Sequence, residues 1–320
     1  MSRDKGWRLA LATLVGGGFL WLLLRGTHWR DLGEAMRGAR IEWLLLAGLA
    51  LTMGYALRIR RWQLLLRAEN PGVSLRACAG PLLAGFAANN VLPFRAGDVL
   101  RCAAFGPELG VSTGGATATL VLERMLDALM LVAALGVALY LFGVDGHRFF
   151  AIGAWGLLGA ALALAAVLLF PQLVTPIIRG MTRWLSRLSP GFGERLSTEV
   201  ERGIRVLEAS GGGLGGMSLL GWSASAWLAE GVVFYAVARA LPELTAPTAA
   251  WLALPVATLS TLLPGTPGYV GTFDFFAAEA MQVGSNTAIA SVAFALLVHL
   301  ILWLPVTLAG GAWLWGRRTT

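Results

Sequence analysis

Residues 89–101 read NNVLPFRAGDVLR. An apolar run beginning near Ala77 leads into them, and the text then turns to Asn-Asn, Pro, Arg, Gly, Asp and Arg. Pro93 removes a backbone donor and disfavours helix at Leu92, so a helix arriving from residue 77 is expected to break there. Asn89 and Asn90 are placed to satisfy the carbonyls freed by the break. Asp98 suits the start of a second half-helix over about 98–108, ended by Gly106-Pro107. If that helical turn holds, Arg95, Asp98 and Arg101 lie along one side at i, i+3 and i+6.

The rest of the chain shows why such a break matters. It is 57% hydrophobic and 13% charged, with mean hydropathy +0.68, outside the range of soluble domains. Six stretches have the ~20-residue reach needed to cross a bilayer: about 7–24, 41–57, 113–142, 149–170, 214–238 and 287–315. Two more, near 77–92 and 248–263, are too short or too interrupted to span. An all-α polytopic membrane protein is predicted, with about six transmembrane helices and two re-entrant broken-helix pairs. Irregular backbone at membrane depth is tolerated only against protein or a wet cavity, so the break should line one.

Flanking arginines orient the chain. Arg3, Lys5 and Arg8, the 58–76 segment, the 171–213 segment and Arg317-Arg318 place both termini in the cytoplasm of a bacterial inner membrane. Residues 25–40, with Arg25, Arg30, Arg37 and Arg40, fit this poorly. The first stretch is read as a retained helix, because "LLLRGTHWR" follows it and no small-x-small cleavage site does. On this reading the chain is one membrane domain of two inverted repeats, about 7–142 and 149–315. A cytoplasmic linker over about 171–213 contains an amphipathic helix at 193–209. Paired Pro/Gly-interrupted segments at matching positions of inverted halves point to a transporter site.

Two further segments carry candidate chemistry. In TLVLERMLDALML (119–131), Glu123 and Asp127 share a helix face beside Arg124. Arg124 can pair with Asp127, and Glu123 with Arg95 or Arg101. An ion-pair cluster that merely pins helix to loop competes with a functional carboxylate. LPGTPGYVGTFDFFAAEA (263–280) packs two prolines and three glycines into 263–271. Such a segment is expected to expose backbone amides that attract anions, with Thr272 capping the helix that follows. Asp274 and Glu279 are its nearby carboxylates, and Glu230 and His299 are the other ionisable groups in spans. A lone His299 on an apolar helix is most simply a core residue.

Enzyme signals are poor. His28, His147 and His299 lie far apart, no metal-binding or nucleophile-elbow pattern occurs, and no cofactor or nucleic-acid partner is implied. Lys5 is the one lysine, so the Gly-rich runs at 112–117 and 210–218 cannot form a P-loop. Cys78 and Cys102 read as small apolar residues.

The run RIRRWQLLL…NNVLPFRAGDVLR…TLVLERMLD…LPGTPGYVGTFD resembles the membrane domain of lysylphosphatidylglycerol synthases, which also occurs alone in flippase-like proteins. The resemblance covers roughly 8–316. Asp98 and Asp274 stand where the family usually has Glu, and Pro267-Gly268-Tyr269 stands where Pro-Gly-Gly is common. The aminoacyl-transferring domain does not follow Thr320, so the lipid-moving activity is expected without the synthase. Together with the residues above, this leads to the expectation of a groove between the two re-entrant pairs that takes the anionic headgroup of a phospholipid or polyprenyl phosphate. Arg95, Arg101 and Arg124 would attract the phosphate, with Asn89 and Asn90 beside them. Pro264, Gly265, Gly268, Gly271 and Thr272 would meet it from the other side. Asp98, Glu123, Asp127 and Asp274 would organise the arginines or exchange protons. A scaffold or lipid-binding accessory role is the alternative, and a lipid-linked transferase a weaker one. A second copy of the chain or a separate lipid-modifying enzyme is the candidate protein partner.

Overall fold

The computed structural model describes residues 3–142, 148–188, 213–263 and 265–318, together with 197–198, 200–201, 203–206 and 208–209. These residues are helical with short connections, and no strand occurs among them. The long helices are α1 (Arg3–Leu24), α3 (Ile41–Leu66), α7 (Thr113–Leu141), α8 (Arg148–Leu169), α10 (Gly213–Ala240) and α13 (Ala288–Arg318). The sequence-predicted spans fall on these six. Outward faces of α3 and α13 carry Leu45, Leu49, Met53, Leu300, Leu304 and Leu308, all exposed and apolar. In water such a belt would be costly; against lipid tails it is the expected surface.

Between the long helices lie two helical hairpins. In the first, α4 (Leu75–Val91) stops at Leu92, whose backbone is extended, and the chain turns back through a 3-10 turn, Pro93–Arg95. It continues as α5 (Ala96–Leu100), a π-helical turn over Arg101–Phe105, and α6 (Gly106–Glu108). In the second, α11 (Ala250–Ser260) is followed by a 3-10 turn, Pro267–Tyr269, and α12 (Thr272–Val283). Ser74 and Ser112 cap α4 and α7 by accepting from the backbone N–H three residues on, which fixes where each begins.

One expectation is corrected, and two segments form helices that the sequence reading did not specify. Residues 58–66 are not loop: α3 runs on through them and withdraws Arg58 and Arg61 into the bundle. Those two arginines therefore do not act as flanking loop charges. The poorly fitting 25–40 stretch contains a short surface helix, α2 (Trp29–Arg37), which buries Leu32 and Ala35 while Arg30 pairs with Glu34 in solvent. The proline-framed 171–188 stretch is itself a helix, α9 (Pro171–Leu188), with exposed Ile177, Met181 and Trp184. Its Arg179 donates to Glu201 at 2.9 and 3.3 Å. That hydrogen bond holds the Glu201 carboxyl below its ordinary value. Of the 193–209 helix expected here, residues 197–198, 200–201, 203–206 and 208–209 are helical, while Glu194, Arg195, Glu199 and Arg202 lie outside the described residues, as do residues 143–147 and Pro264.

The core has its centre where α3 crosses α10 and where α11, α12 and α13 pack together, around Phe234, Phe273 and Phe294. Its other residues are largely alanines, which let helix backbones approach closely.

Candidate functional site

The first break is held open by backbone conformation. Phe94 and Arg95 both have left-handed φ, 61° and 52°, a conformation that costs of order 1–3 kcal/mol for residues with side chains. Arg95 therefore stays outside the helical turn, whereas Asp98 and Arg101 lie on it, in α5 and the π-helical turn that follows, and take different partners. Asn89 folds back across the turn. Its Oδ1 accepts from the Asp98 amide at 3.1 Å and its Nδ2 donates to Asp98 Oδ1 at 3.0 Å. It thus serves an amide of the returning helix, where freed carbonyls were expected. Gly97 sits so close to Gly85 that a Cβ would strike the Gly85 carbonyl. Asn90 instead ties the break to α13, donating to Thr307 Oγ1 at 2.8 Å and more weakly to the Trp303 carbonyl.

Behind the break runs a charge network. Arg101 is buried, donates to Glu123 at 2.6 Å, and stacks over Trp62 at 4.4 Å. Arg61 reaches two carboxylates, Asp127 at 2.8 Å and Glu123 at 3.7 Å, and also donates to Ser223. Arg124 bridges Asp98 at 3.5 Å and Asp127 at 3.7 Å. Arg58 pairs with Glu230 across the α3–α10 contact and lies over Trp227. Trp227 in turn donates to Asp127 at 3.1 Å. Taking such charges out of water is repaid only when the partners are close and hydrogen-bonded, and here nearly every guanidinium has one. The expected Glu123–Arg101 and Arg124–Asp127 pairings are present.

The second break repeats the first with different residues. Gly268 and Tyr269 have left-handed φ of 70° and 60°. Asp274, only 1% exposed, accepts from the Gly271 amide at 2.8 Å. Capping of α12 thus falls to Asp274, and Thr272 is the next residue inward. Its buried hydroxyl has no hydrogen-bond partner. The expectation of exposed amides is met only in part, because the Tyr269 amide donates to Thr266 and the Gly271 amide to Asp274. Asp274 Oδ1 also meets His299 Nδ1 at 2.7 Å, while His299 Nε2 meets the Gly268 carbonyl at 3.0 Å.

The two breaks touch. Arg95 Nε donates to the Tyr269 hydroxyl at 2.9 Å, and Trp303 of α13 donates to the Asn90 carbonyl at 3.3 Å. Around this junction lie two openings. One, of about 480 Å³, is lined by Arg95, Phe94, Leu92, Thr266, Gly268 and Tyr269 among others. Its margin includes exposed Leu92, Phe94 and Leu262. The other, of about 210 Å³, reaches deeper to Arg58, Asp98, Arg124, Asp127, Glu230 and His299. Arg95 and Tyr269 line both. Of the sequence-predicted residues, Asn89, Asn90, Arg95, Asp98, Arg124, Asp127, Gly265 and Gly268 line one or the other. Arg101 and Glu123 sit behind them, and Gly271, Thr272 and Asp274 lie beneath the second break. Among the described residues no three His, Cys, Asp or Glu side chains converge as metal ligands would.

Sequence reasoning missed Arg58, Arg61, Trp227, Tyr269 and the role of His299. Arg58 and Arg61 are three apart on one helix face, which was the available signal. A family model described as Lysylphosphatidylglycerol synthase TM region matches residues 9–310, nearly the whole chain. No curated protein gives a significant match.

Proposed function

Because the chain belongs to the lysylphosphatidylglycerol synthase transmembrane-region family, and so is a helical membrane protein, we propose that it binds an anionic lipid headgroup at the junction of the two hairpins and passes it across the bilayer. One observation carries this reading: Arg95. Every other arginine at the junction has a carboxylate within 4 Å, whereas Arg95 has only the Tyr269 hydroxyl and ring among the described residues. A guanidinium left without a counter-charge beside an apolar-rimmed opening favours a phosphate whose acyl or prenyl chains stay in lipid. Arg101, committed to Glu123, is not part of the phosphate site on this reading. Arg124 and Arg58 are available at its deeper end, each already shared with a carboxylate.

The packing supports an inverted-repeat mechanism. Exchanging α3 with α10, α4 with α11, α5 with α12 and α7 with α13 preserves the main packings: α4 lies on α13 as α11 lies on α7. The first helix of each half departs from the exchange, since α1 packs on α12 whereas α8 packs on α7. Alternating access would then rock one hairpin against the other around the Arg95–Tyr269 contact. In this reading the carboxylates orient arginines and no covalent chemistry is performed.

The test is leaflet exchange in proteoliposomes containing fluorescent phosphatidylglycerol, a polyprenyl phosphate, or phosphatidylcholine as control. The protein is expected to accelerate exchange of an anionic lipid, and Arg95→Ala to slow it tenfold or more, the worth of one charge-assisted contact. Absence of exchange for both anionic lipids, in protein whose thermal unfolding is intact, would sink the reading.

A further inference from the structure

His299 makes two close contacts, and one neutral imidazole cannot serve both as a donor. Its Nδ1 faces the Asp274 carboxylate at 2.7 Å and its Nε2 faces the Gly268 carbonyl at 3.0 Å. A carbonyl oxygen only accepts, and so does an ionised carboxylate. A neutral imidazole has one N–H and cannot donate to both. Both contacts are satisfied only if the pair carries one proton more than neutral His with ionised Asp: an imidazolium beside a carboxylate, or a neutral imidazole beside a carboxylic acid. Asp274 Oδ2 does not relieve the count, because it already accepts from the Gly271 amide.

We infer that His299 and Asp274 form a proton-binding site, and that its proton is taken up together with the anion bound at Arg95. The coupling rests on the headgroup reading given above; the proton site does not. Two features argue for coupling. The first is mechanical: the proton-dependent bond to Gly268 lands on a left-handed residue of the second break, next to Tyr269, which holds Arg95. Removing the proton turns the Nε2 lone pair against the Gly268 oxygen and releases that bond. The second is charge. Facing the deeper opening with His299 are Arg58, Arg95 and Arg124, and opposite them Asp98, Asp127 and Glu230, with the phenols of Tyr55 and Tyr269. These charges cancel. Arg61 and Arg101 lie behind with Glu123 and leave one positive charge, which ionised Asp274 offsets. Without the extra proton the whole network is neutral; with it, the network carries one positive charge, matched to one incoming negative charge. Phe273 packs against the imidazole with ring centroids 5.0 Å apart and tilted, and the His299 side chain is 14% exposed, so the proton is sheltered yet reachable from the opening.

By linkage, proton binding must then raise anion affinity, and anion binding must raise proton affinity by the same factor. The chain has three histidines, which makes a direct reading feasible. Protein labelled with ¹⁵N-histidine, in nanodiscs at pH 6, is expected to show both ring nitrogens of His299 protonated; a proton resting on Asp274 would instead give a carboxylic acid C=O infrared band that Asp274→Asn removes. Finding neither species overturns the proton site. Binding of phosphatidylglycerol and of a polyprenyl phosphate is then measured between pH 5 and 8. For one coupled proton, affinity is expected to fall by up to about tenfold per pH unit above the titration. The fall should be flat in His299→Gln and in Asp274→Asn. A pH-independent affinity in the native protein, or no anion binding at any pH, overturns the coupling, and in the latter case the headgroup reading fails while the ¹⁵N measurement still decides the proton site.

Discussion

Around Pro93 the left-handed residues are Phe94 and Arg95, and the helical segment that follows is anchored by two ion pairs to α7, Asp98 with Arg124 and Arg101 with Glu123. Around Pro267 they are Gly268 and Tyr269, and the helix that follows is anchored by one carboxylate that caps it and one histidine. Both segments reverse a helix, and both place an aspartate at the start of the return. The first is stiffened by a network of guanidinium groups with α3, α7 and α10. The second is stiffened by steric closeness: a Cβ on Gly271 would strike the Gly16 carbonyl of α1. A broken helix can thus be held by charge or by contact. The charged hairpin adds its ion pairs to a close contact of its own, Gly97 against Gly85, whereas the second leans on α1 through Gly271 and on α13 through His299.

The largest expected effect is on the charged side. Arg61→Ala removes a guanidinium that spans Asp127 and Glu123 and is itself 2% exposed. Leaving buried carboxylates short of a partner costs about 3–5 kcal/mol. A matching loss should appear in unfolding of the micelle-solubilised protein. Arg61→Lys should recover only part of it, because an ammonium cannot fork to two acceptors. If Arg61→Ala unfolds no more easily than a surface variant such as Arg30→Ala, the network is not what stiffens the first hairpin.

The contact side predicts a smaller loss of a different kind. Gly271→Ala adds a Cβ at φ 89°, where L side chains are strained by of order 1–3 kcal/mol, and pushes it at α1. Stability should fall less than in Arg61→Ala, yet protection of α1 amides from hydrogen exchange should fall more. Equal exchange in α1 and α7 would erase the distinction between the two hairpins.

How far the sequence foresaw this difference follows from the range over which each signal acts. Pro93 and Pro267 act on adjacent residues, so the first break and the glycine-rich second one are readable directly. Glu123, Arg124 and Asp127 are one turn apart and announce an ionic face. The partners of Arg58 and Arg61 are not local: Glu230 lies 172 positions from Arg58 and Asp127 lies 66 from Arg61. Read along the chain, those arginines look like loop charges, because an arginine's cost in a span is visible only until its acceptor is found. His299 fails for the same reason, since Asp274 and Gly268 come from the preceding hairpin. Left-handed φ at Phe94, Arg95 and Tyr269 had no residue signature at all, because composition flags this conformation only at glycine and asparagine.

The smallest effect sharpens the comparison most, because it tests a side-chain hydrogen bond that joins the two hairpins. Tyr269→Phe keeps the ring under Arg95 and removes only the hydroxyl that accepts from Nε at 2.9 Å. The junction is half open to the cavity, so water can replace that acceptor and the net cost is ~1 kcal/mol. Global stability should therefore stay within that margin, while anionic lipid binding weakens roughly fivefold as Arg95 gains freedom. Arg95→Ala combined with Tyr269→Phe should bind no worse than Arg95→Ala alone, since the hydroxyl acts through the guanidinium. Additive losses in that double-mutant cycle would mean that Tyr269 meets the lipid independently, and the second hairpin would then hold a binding group of its own.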